Sequence, residues 1–254
     1  MCILFIAKNR HPFYPLIVAA NRDEFYERPS KTMHYWMDQP TILAGRDMIS
    51  GGSWLGLNTS GRFCGVTNLR QSINQEERNS RGKLVSRFLK HSEDVHEYSD
   101  FLNRQYASFN PFNLVFGSIS ELFLFSSHDH QTVPVGDGYH SISNGPVLQP
   151  WPKMSKGVGR LQNLVDQHKE IQFKDLTDIM IDQNAAPDEL LPNTGLDQQR
   201  ERLLSSIFVS GQSYGTRSTT LILFSKSKAL VRELTYTHGS IQNPLSQDFE
   251  ITLN

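Results

Sequence analysis

The chain has 254 residues, with 25 basic against 26 acidic side chains and 38% apolar residues, 15 Phe and 8 Tyr among them. That is enough to fill a sizeable core, and a near-neutral balance without a run of either sign argues against nucleic acid or a basic membrane surface as the main partner. Two cysteines, Cys2 and Cys64, exclude a disulfide scaffold and point to a reduced, cytoplasmic setting.

The first apolar run, Ile3 to Ala7, breaks at Lys8-Asn9-Arg10-His11-Pro12, too early for the hydrophobic stretch of a signal peptide. No segment approaches the roughly 18 apolar residues of a membrane span. "CILFIA" and "PLIVAA" (Pro15 to Ala20) flank a turn-forming segment and predict a hairpin. A second hairpin is predicted from Trp54–Asn58 and Arg62–Asn68, joined by Thr59-Ser60-Gly61 with a glycine where the turn needs positive φ. The period then changes. Leu84, Val85, Phe88 and Leu89 share one helical face, and a second helix is expected from Val95 to Tyr106.

"FNLVFGSISELFLFSS" returns to strands that turn near Gly117 to Glu121, and "YHSISNGP" is a further short strand. From Lys153 to Leu204 the pattern is helical again, with one face carrying Leu161, Leu164, Val165 and His168 and another Leu176, Ile179 and Met180. "STTLILFSKSKALVRELTY" closes the pattern with two strands around a polar turn. Asn74–Gly82 and Asn184–Gly195 read as surface loops. Blocks of antiparallel strands and helices predict an α+β fold, its sheets covered by helices. One domain over 1–254 is expected, because strands at both ends of the chain would share sheets.

A cysteine at position 2 has a property that no internal cysteine has. If Met1 is removed, the Cys2 α-amine, with an ordinary pKa of about 8, lies beside a thiol whose ordinary value is about 8.5. The amine can take the thiol proton and return it to a leaving amine, so nucleophile and base come from one residue. Taken alone, Cys2 reads more readily as a small apolar residue opening a strand than as a nucleophile. A second group stands at the end of "AANRDEFYERP", where a strand delivers Asn21, Arg22, Asp23 and Glu24 together. Asp23 suits an α-amine, and Asn21, Arg22 and Glu24 are candidate ligand contacts.

"MCI", "AANRDEFYERPSK", "GGSWLGLNTSGRFCGVTN", "SISNGP…PWPK" and "YGTRSTTLIL" in this order resemble the NRDE family, also called the transport and Golgi organization protein 2 family. That family resembles in turn the cysteine branch of the N-terminal-nucleophile hydrolases, with penicillin V acylases and bile salt hydrolases. The resemblance implies a four-layer αββα sandwich of two antiparallel sheets covered by helices. It implies Cys2 as nucleophile, Asp23 as the aspartate that positions its amine, and Asn68 as a contributor to the oxyanion hole. Asn144 matches the asparagine of a "TNSP"-like turn, and Arg217 the arginine near the nucleophile.

One position departs from the pattern. That branch carries an arginine directly before the asparagine of its Arg-Asn-x-Asp motif, where this chain has Ala20, and the arginine comes at Arg22. On a strand, positions 20 and 22 share a face but stand about 6–7 Å apart, which predicts an arginine displaced from its expected place.

Two functions follow from the resemblance. One is a cysteine amidohydrolase acting on a non-peptide C–N bond of an apolar acyl amide. The other is a carrier that uses the same pocket, in haem trafficking or lipid homeostasis. No cofactor is required, and because "CxxCH" does not occur, any haem would be non-covalent. His128-Asp129-His130 reads as a solvated turn rather than a metal site, and Cys64, between Phe63 and Gly65, as a core residue.

Overall fold

The computed structural model describes residues 2–70, 77–147 and 149–253. Met1, on whose removal the α-amine chemistry depends, and residues 74–76 of the expected loop lie outside the described residues. In chain order the elements begin with strands β1 (Cys2–Lys8), β2 (Leu16–Phe25), β3 (Ser30–Trp36), β4 (Gln39–Asp47), β5 (Leu55–Asn58) and β6 (Phe63–Asn68). Helices α1 (Gly82–Lys90) and α2 (Val95–Gln105) precede strands β7 (Phe112–Gly117), β8 (Leu122–Ser126), β9 (Gln131–Pro134) and β10 (Gly138–Ile142). Helices α3 (Pro152–Gln167), α4 (Phe173–Met180) and α5 (Gln198–Leu203) then lead to β11 (Tyr214–Phe224), β12 (Lys228–Thr235) and β13 (Leu245–Thr252).

The chain divides into two compact units, Met1–Arg28 with Asp137–Ile251 and Pro29–Gly136 with Thr252–Asn254. The first is built on a six-stranded sheet in the order β10-β1-β2-β11-β12-β13. Strands from the two ends of the sequence therefore pair, β2 with β11. On one face Ile3, Phe5, Ala7, Ile17, Ala19, Leu221 and Leu223 meet Met154, Leu161 and Val165 of α3 and Leu176, Ile179 and Met180 of α4. Helix α3 lies close on β1 at Gly157, where an added Cβ would run into the Phe5 ring. The other parity of β1 and β2, including Leu4, Ile6, Val18 and Ala20, is also buried. Burial on both faces explains why these strands read as continuous apolar runs instead of alternating ones.

The second unit is a seven-stranded meander from β3 to β9 in sequence order. Cys64 and Val66 of β6 and Leu114 and Phe116 of β7 pack with Leu84, Val85, Phe88 and Leu89 of α1 and Tyr98 and Leu102 of α2. The β5–β6 turn has Gly61 at φ 78, and Asn58 Oδ1 accepts from the backbone N–H groups of Ser60 and Arg62. Each sheet is thus antiparallel with helices against it, the α+β class expected. His168 is a correction to the α3 face: the helix ends at Gln167, so the histidine caps it and is exposed. Among the described residues no helix is long and apolar enough to cross a membrane.

Candidate active site

Cys2 opens β1, which lies between β10 and β2. The β1–β2 register sets Leu4 opposite Ala20 and Cys2 opposite Arg22. Residues directly opposite on antiparallel strands share a face, with Cβ atoms about 5 Å apart. The sequence placed Arg22 one step too far along the strand, measured from position 20. Measured from Cys2, it stands level with the cysteine, and its cation acts on the thiol.

The Cys2 thiol is half-buried, and burial is what pushes it up most; the Asp23 charge pushes the same way, while Arg22 and the Asp23 backbone N–H favour the thiolate. Asp23 is 1% exposed. Its Oδ1 accepts a 2.7 Å hydrogen bond from Thr216 Oγ1, and its carbonyl accepts from the Tyr214 hydroxyl at 2.9 Å. Thr216 is held in turn, since its Oγ1 accepts from the Val209 N–H at 2.9 Å. Burial raises the Asp23 carboxyl above the ordinary carboxylate range, and the charge of Lys153 together with the Thr216 hydrogen bond opposes that rise.

On the other side of Cys2, β10 pairs Ile142 with Leu4. Continuing that antiparallel register by two residues brings Asn144 level with Cys2. The Ser143 hydroxyl, buried with Asn144, donates to the Cys2 carbonyl at 3.3 Å and reaches Asn144 Oδ1 at 3.4 Å. Cys2, Arg22, Asp23 and Asn144 are therefore gathered at adjoining strand ends of one sheet.

Asn21, Glu24 and Arg217 each have partners of their own. Asn21 faces the helical layer: its Nδ2 donates to the carbonyls of Met180 (2.8 Å) and Ile207 (3.0 Å), and its Oδ1 accepts from Thr219 Oγ1 (2.6 Å). Glu24 Oε1 accepts from the neighbouring Phe25 N–H, and its other oxygen is 4.0 Å from Arg28. Arg217 sits at a bulge in β11 between Thr216 and Ser218, and its guanidinium donates to the carbonyls of Arg28 and Phe25, fixing the turn after β2. Asn68 ends β6 in the other unit, opposite Phe112.

One partner of Asp23 was not singled out by sequence: Thr216 directly precedes Arg217 and lay inside a quoted segment without a role. His128 lies in the turn after β8, and His130 has φ 54 there. Among the described residues no three His, Cys, Asp or Glu side chains gather as a metal site would require.

Residues 1–237 match the model of the family described as Transport and Golgi organisation 2. The mouse (Mus musculus) Transport and Golgi organization 2 homolog is 30% identical over 243 residues, covering 88% of each chain. The human (Homo sapiens) homolog matches to the same extent. Among solved structures, the Caenorhabditis elegans ortholog of N-acylethanolamine-hydrolyzing acid amidase aligns with a TM-score of 0.52 at 10% identity, over 87% of this chain and 92% of that one. The C2A mutant of conjugated bile acid hydrolase from Clostridium perfringens aligns with a TM-score of 0.52 at 11% identity, over 100% of this chain and 97% of that one. Identities this low speak for the fold, which is that of the N-terminal-nucleophile hydrolases.

Proposed function

This chain belongs to the Transport and Golgi organisation 2 family, and we propose that it acts as a cysteine amidohydrolase at Cys2 on the amide of an apolar acyl group. With Cys2 as the first residue, its amine removes the thiol proton and the sulfur attacks the amide carbonyl carbon. The oxyanion that forms needs fixed donors, and the Asn144 amide is the candidate from this sheet. Collapse breaks the C–N bond, and the leaving amine takes the proton held by the Cys2 amine. Water then attacks the thioester, releasing the acid and restoring the thiol. Asp23 accepts a hydrogen bond from the amine and holds it in place. Arg22 stabilises the thiolate.

The observation that carries the reading is the register of β1 on β2, which sets Arg22 level with Cys2 and puts the Asp23 N–H at the thiol. The solved neighbours are in keeping with it, since both are hydrolases by their descriptions. The test is a panel of acyl amides with acyl chains of increasing length, assayed on wild type and Cys2→Ala, with intact mass recorded for both. Turnover in wild type alone, with Met1 absent, supports the reading. Equal background rates with Met1 absent reject it.

A second reading is favoured by the burial that pushes the Cys2 thiol up, which disfavours a thiolate nucleophile. In it the same strand ends capture an acyl ligand or haem without chemistry. Saturable binding of a fatty acid, or a Soret shift at micromolar haem, in wild type and Cys2→Ala alike and without turnover would select it.

A further inference from the structure

Strand β11 changes its phase on β2 within one residue. It pairs Thr219 with Asn21 and Ser218 with Arg22, yet Thr216 with Asp23, so Arg217 is left outside the ladder. In an unbroken antiparallel register one step forward on β2 is one step back on β11, and Arg217 would stand opposite Asp23. A bulge adds one residue to one strand and re-aims the side chains around it. Here the result is a matched pair of bonds. Asn21 and Asp23 share a face of β2, and each meets a threonine of β11. Thr219 Oγ1 donates to Asn21 Oδ1 at 2.6 Å, and Thr216 Oγ1 donates to Asp23 Oδ1 at 2.7 Å. The arginine that continuous pairing would set against Asp23 donates to the carbonyls of Phe25 and Arg28 instead.

We propose that Thr216 is a positioning residue for Cys2 and acts through Asp23: its hydroxyl fixes the carboxylate that holds the Cys2 amine, and the bulge at Arg217 puts it there. This deepens the amidohydrolase reading and rests on it. The direction of the hydroxyl is set from both sides. Its oxygen accepts from the Val209 N–H at 2.9 Å, and its single proton goes to Asp23 Oδ1. Thr216 is 0% exposed and Asp23 1%, so this bond is made away from bulk solvent. The backbone of Asp23 is held as well, by the Tyr214 hydroxyl at its carbonyl. The choice of donor also bears on charge. A guanidinium against Asp23 would pair with the carboxylate, whereas a hydroxyl orients it and adds no counter-charge. Burial pushes the Asp23 carboxyl up; the amino-terminal charge, Lys153 and the Thr216 hydrogen bond oppose that rise.

The experiment follows the carboxyl carbon of Asp23 by 13C NMR across pH in wild type, Thr216→Val and Thr216→Ser, with amide turnover measured in parallel. Valine keeps the shape of threonine and loses the hydroxyl; serine keeps the hydroxyl. A hydrogen bond to a carboxylate favours its charged form, so the Asp23 midpoint is expected to rise in Thr216→Val and to return toward the wild-type value in Thr216→Ser. In Thr216→Val kcat at neutral pH falls about tenfold or more, KM stays constant, and the acid limb of the pH profile moves up with Asp23; Thr216→Ser restores most of the loss. An unchanged midpoint in Thr216→Val, or a raised midpoint with unchanged kcat, overturns the proposal. If Thr216→Val does not fold, the Val209 amide proton is followed across pH in wild type and Asp23→Asn, because hydrogen bonds in a chain polarise one another. A step at the Asp23 midpoint in wild type that vanishes in Asp23→Asn supports the proposal, and its absence from wild type overturns it. If the Asp23 midpoint rises in Thr216→Val while wild type turns over no amide, the hydrolase reading fails and the Thr216–Asp23 link stands.

Discussion

Cys2 and Cys64 are the two cysteines of the chain, each on a β-strand, and burial pushes both thiols up. Their surroundings differ in kind. Cys64 is 0% exposed near the start of β6, opposite Gly56 and Phe116, in a core with Phe88, Tyr98 and Leu114. Cys2 is half-buried at the start of β1, opposite Arg22 and against the backbone N–H of Asp23. Both strands supply the same thiol. What separates a packing residue from a candidate nucleophile is the polar company at the strand end, and that company comes from three other stretches of sequence, around 22, 144 and 216.

Substituting each cysteine breaks the comparison most sharply. Cys2→Ala is expected to lower amide turnover by about a thousandfold or more while leaving the melting curve nearly unchanged. Cys64→Ser should leave turnover intact and cost about 1–3 kcal/mol of stability, because a hydroxyl replaces a thiol in an apolar core. Parallel assays and chemical denaturation measure both. Loss of turnover in Cys64→Ser at full stability would erase the distinction.

Reactivity gives the next largest contrast. Iodoacetamide on the native protein should modify Cys2 and leave Cys64 unmodified until denaturant is added, read as one adduct and then two by intact mass. Native labelling of Cys64 would mean that the core around β6 opens far more readily than its burial implies.

Asn21 and Arg22 make the same comparison within one strand. They are adjacent, yet Asn21 is bonded to the Met180 and Ile207 carbonyls on the helical face while Arg22 stands beside Cys2. Asn21→Ala should cost about 2–4 kcal/mol of stability from two buried carbonyls that lose donors. Arg22→Lys should cost turnover with little change in stability. Thermal melts and steady-state kinetics on the two variants separate these effects, and equal losses of stability would place both residues in the structural class.

Much of this was legible in the chain itself. The apolar runs at 3–7 and 16–20 and the faces at 84–89 and 176–180 reported their elements because burial leaves a periodic trace. β3, β9 and β13 left a weaker one. β13, for example, is an edge strand whose Asp248 and Glu250 pair with Arg232 and Lys228 of β12, and edge strands carry charge in place of alternation. At the site, position 2 and the Asn21–Glu24 run were visible, but the role of Arg22 was not. Strand register depends on pairing between segments, and a shift of two residues is invisible in a single strand. Thr216 was hidden for a related reason: its hydroxyl reaches Asp23 only through the pairing of β11 with β2. Arg217 shows the reverse, a residue in the right motif whose guanidinium is turned to the carbonyls of Phe25 and Arg28 by a bulge that no local pattern announces.

The smallest effect is electrostatic and separates the two thiols by pH alone. Burial holds the Cys64 thiol well above its ordinary range in the folded chain, whereas in the unfolded chain it titrates near the ordinary value. Below the ordinary thiol range both states keep the proton, and Cys64 adds no pH dependence. Above it the unfolded chain releases its proton while the folded chain does not, so stability falls as pH rises, by about 1.4 kcal/mol per pH unit for one group. Cys64→Ala removes that slope, so the stability difference between wild type and Cys64→Ala should shift in favour of the variant as pH climbs through the alkaline range. The same measurement on Cys2→Ala should give a shallower dependence, because Arg22 and the Asp23 N–H oppose the burial of that thiol. Urea denaturation at a series of pH values measures both slopes. A Cys2 slope as steep as that of Cys64 would mean that the strand-end charges do little for the thiolate, and would weigh toward the carrier reading.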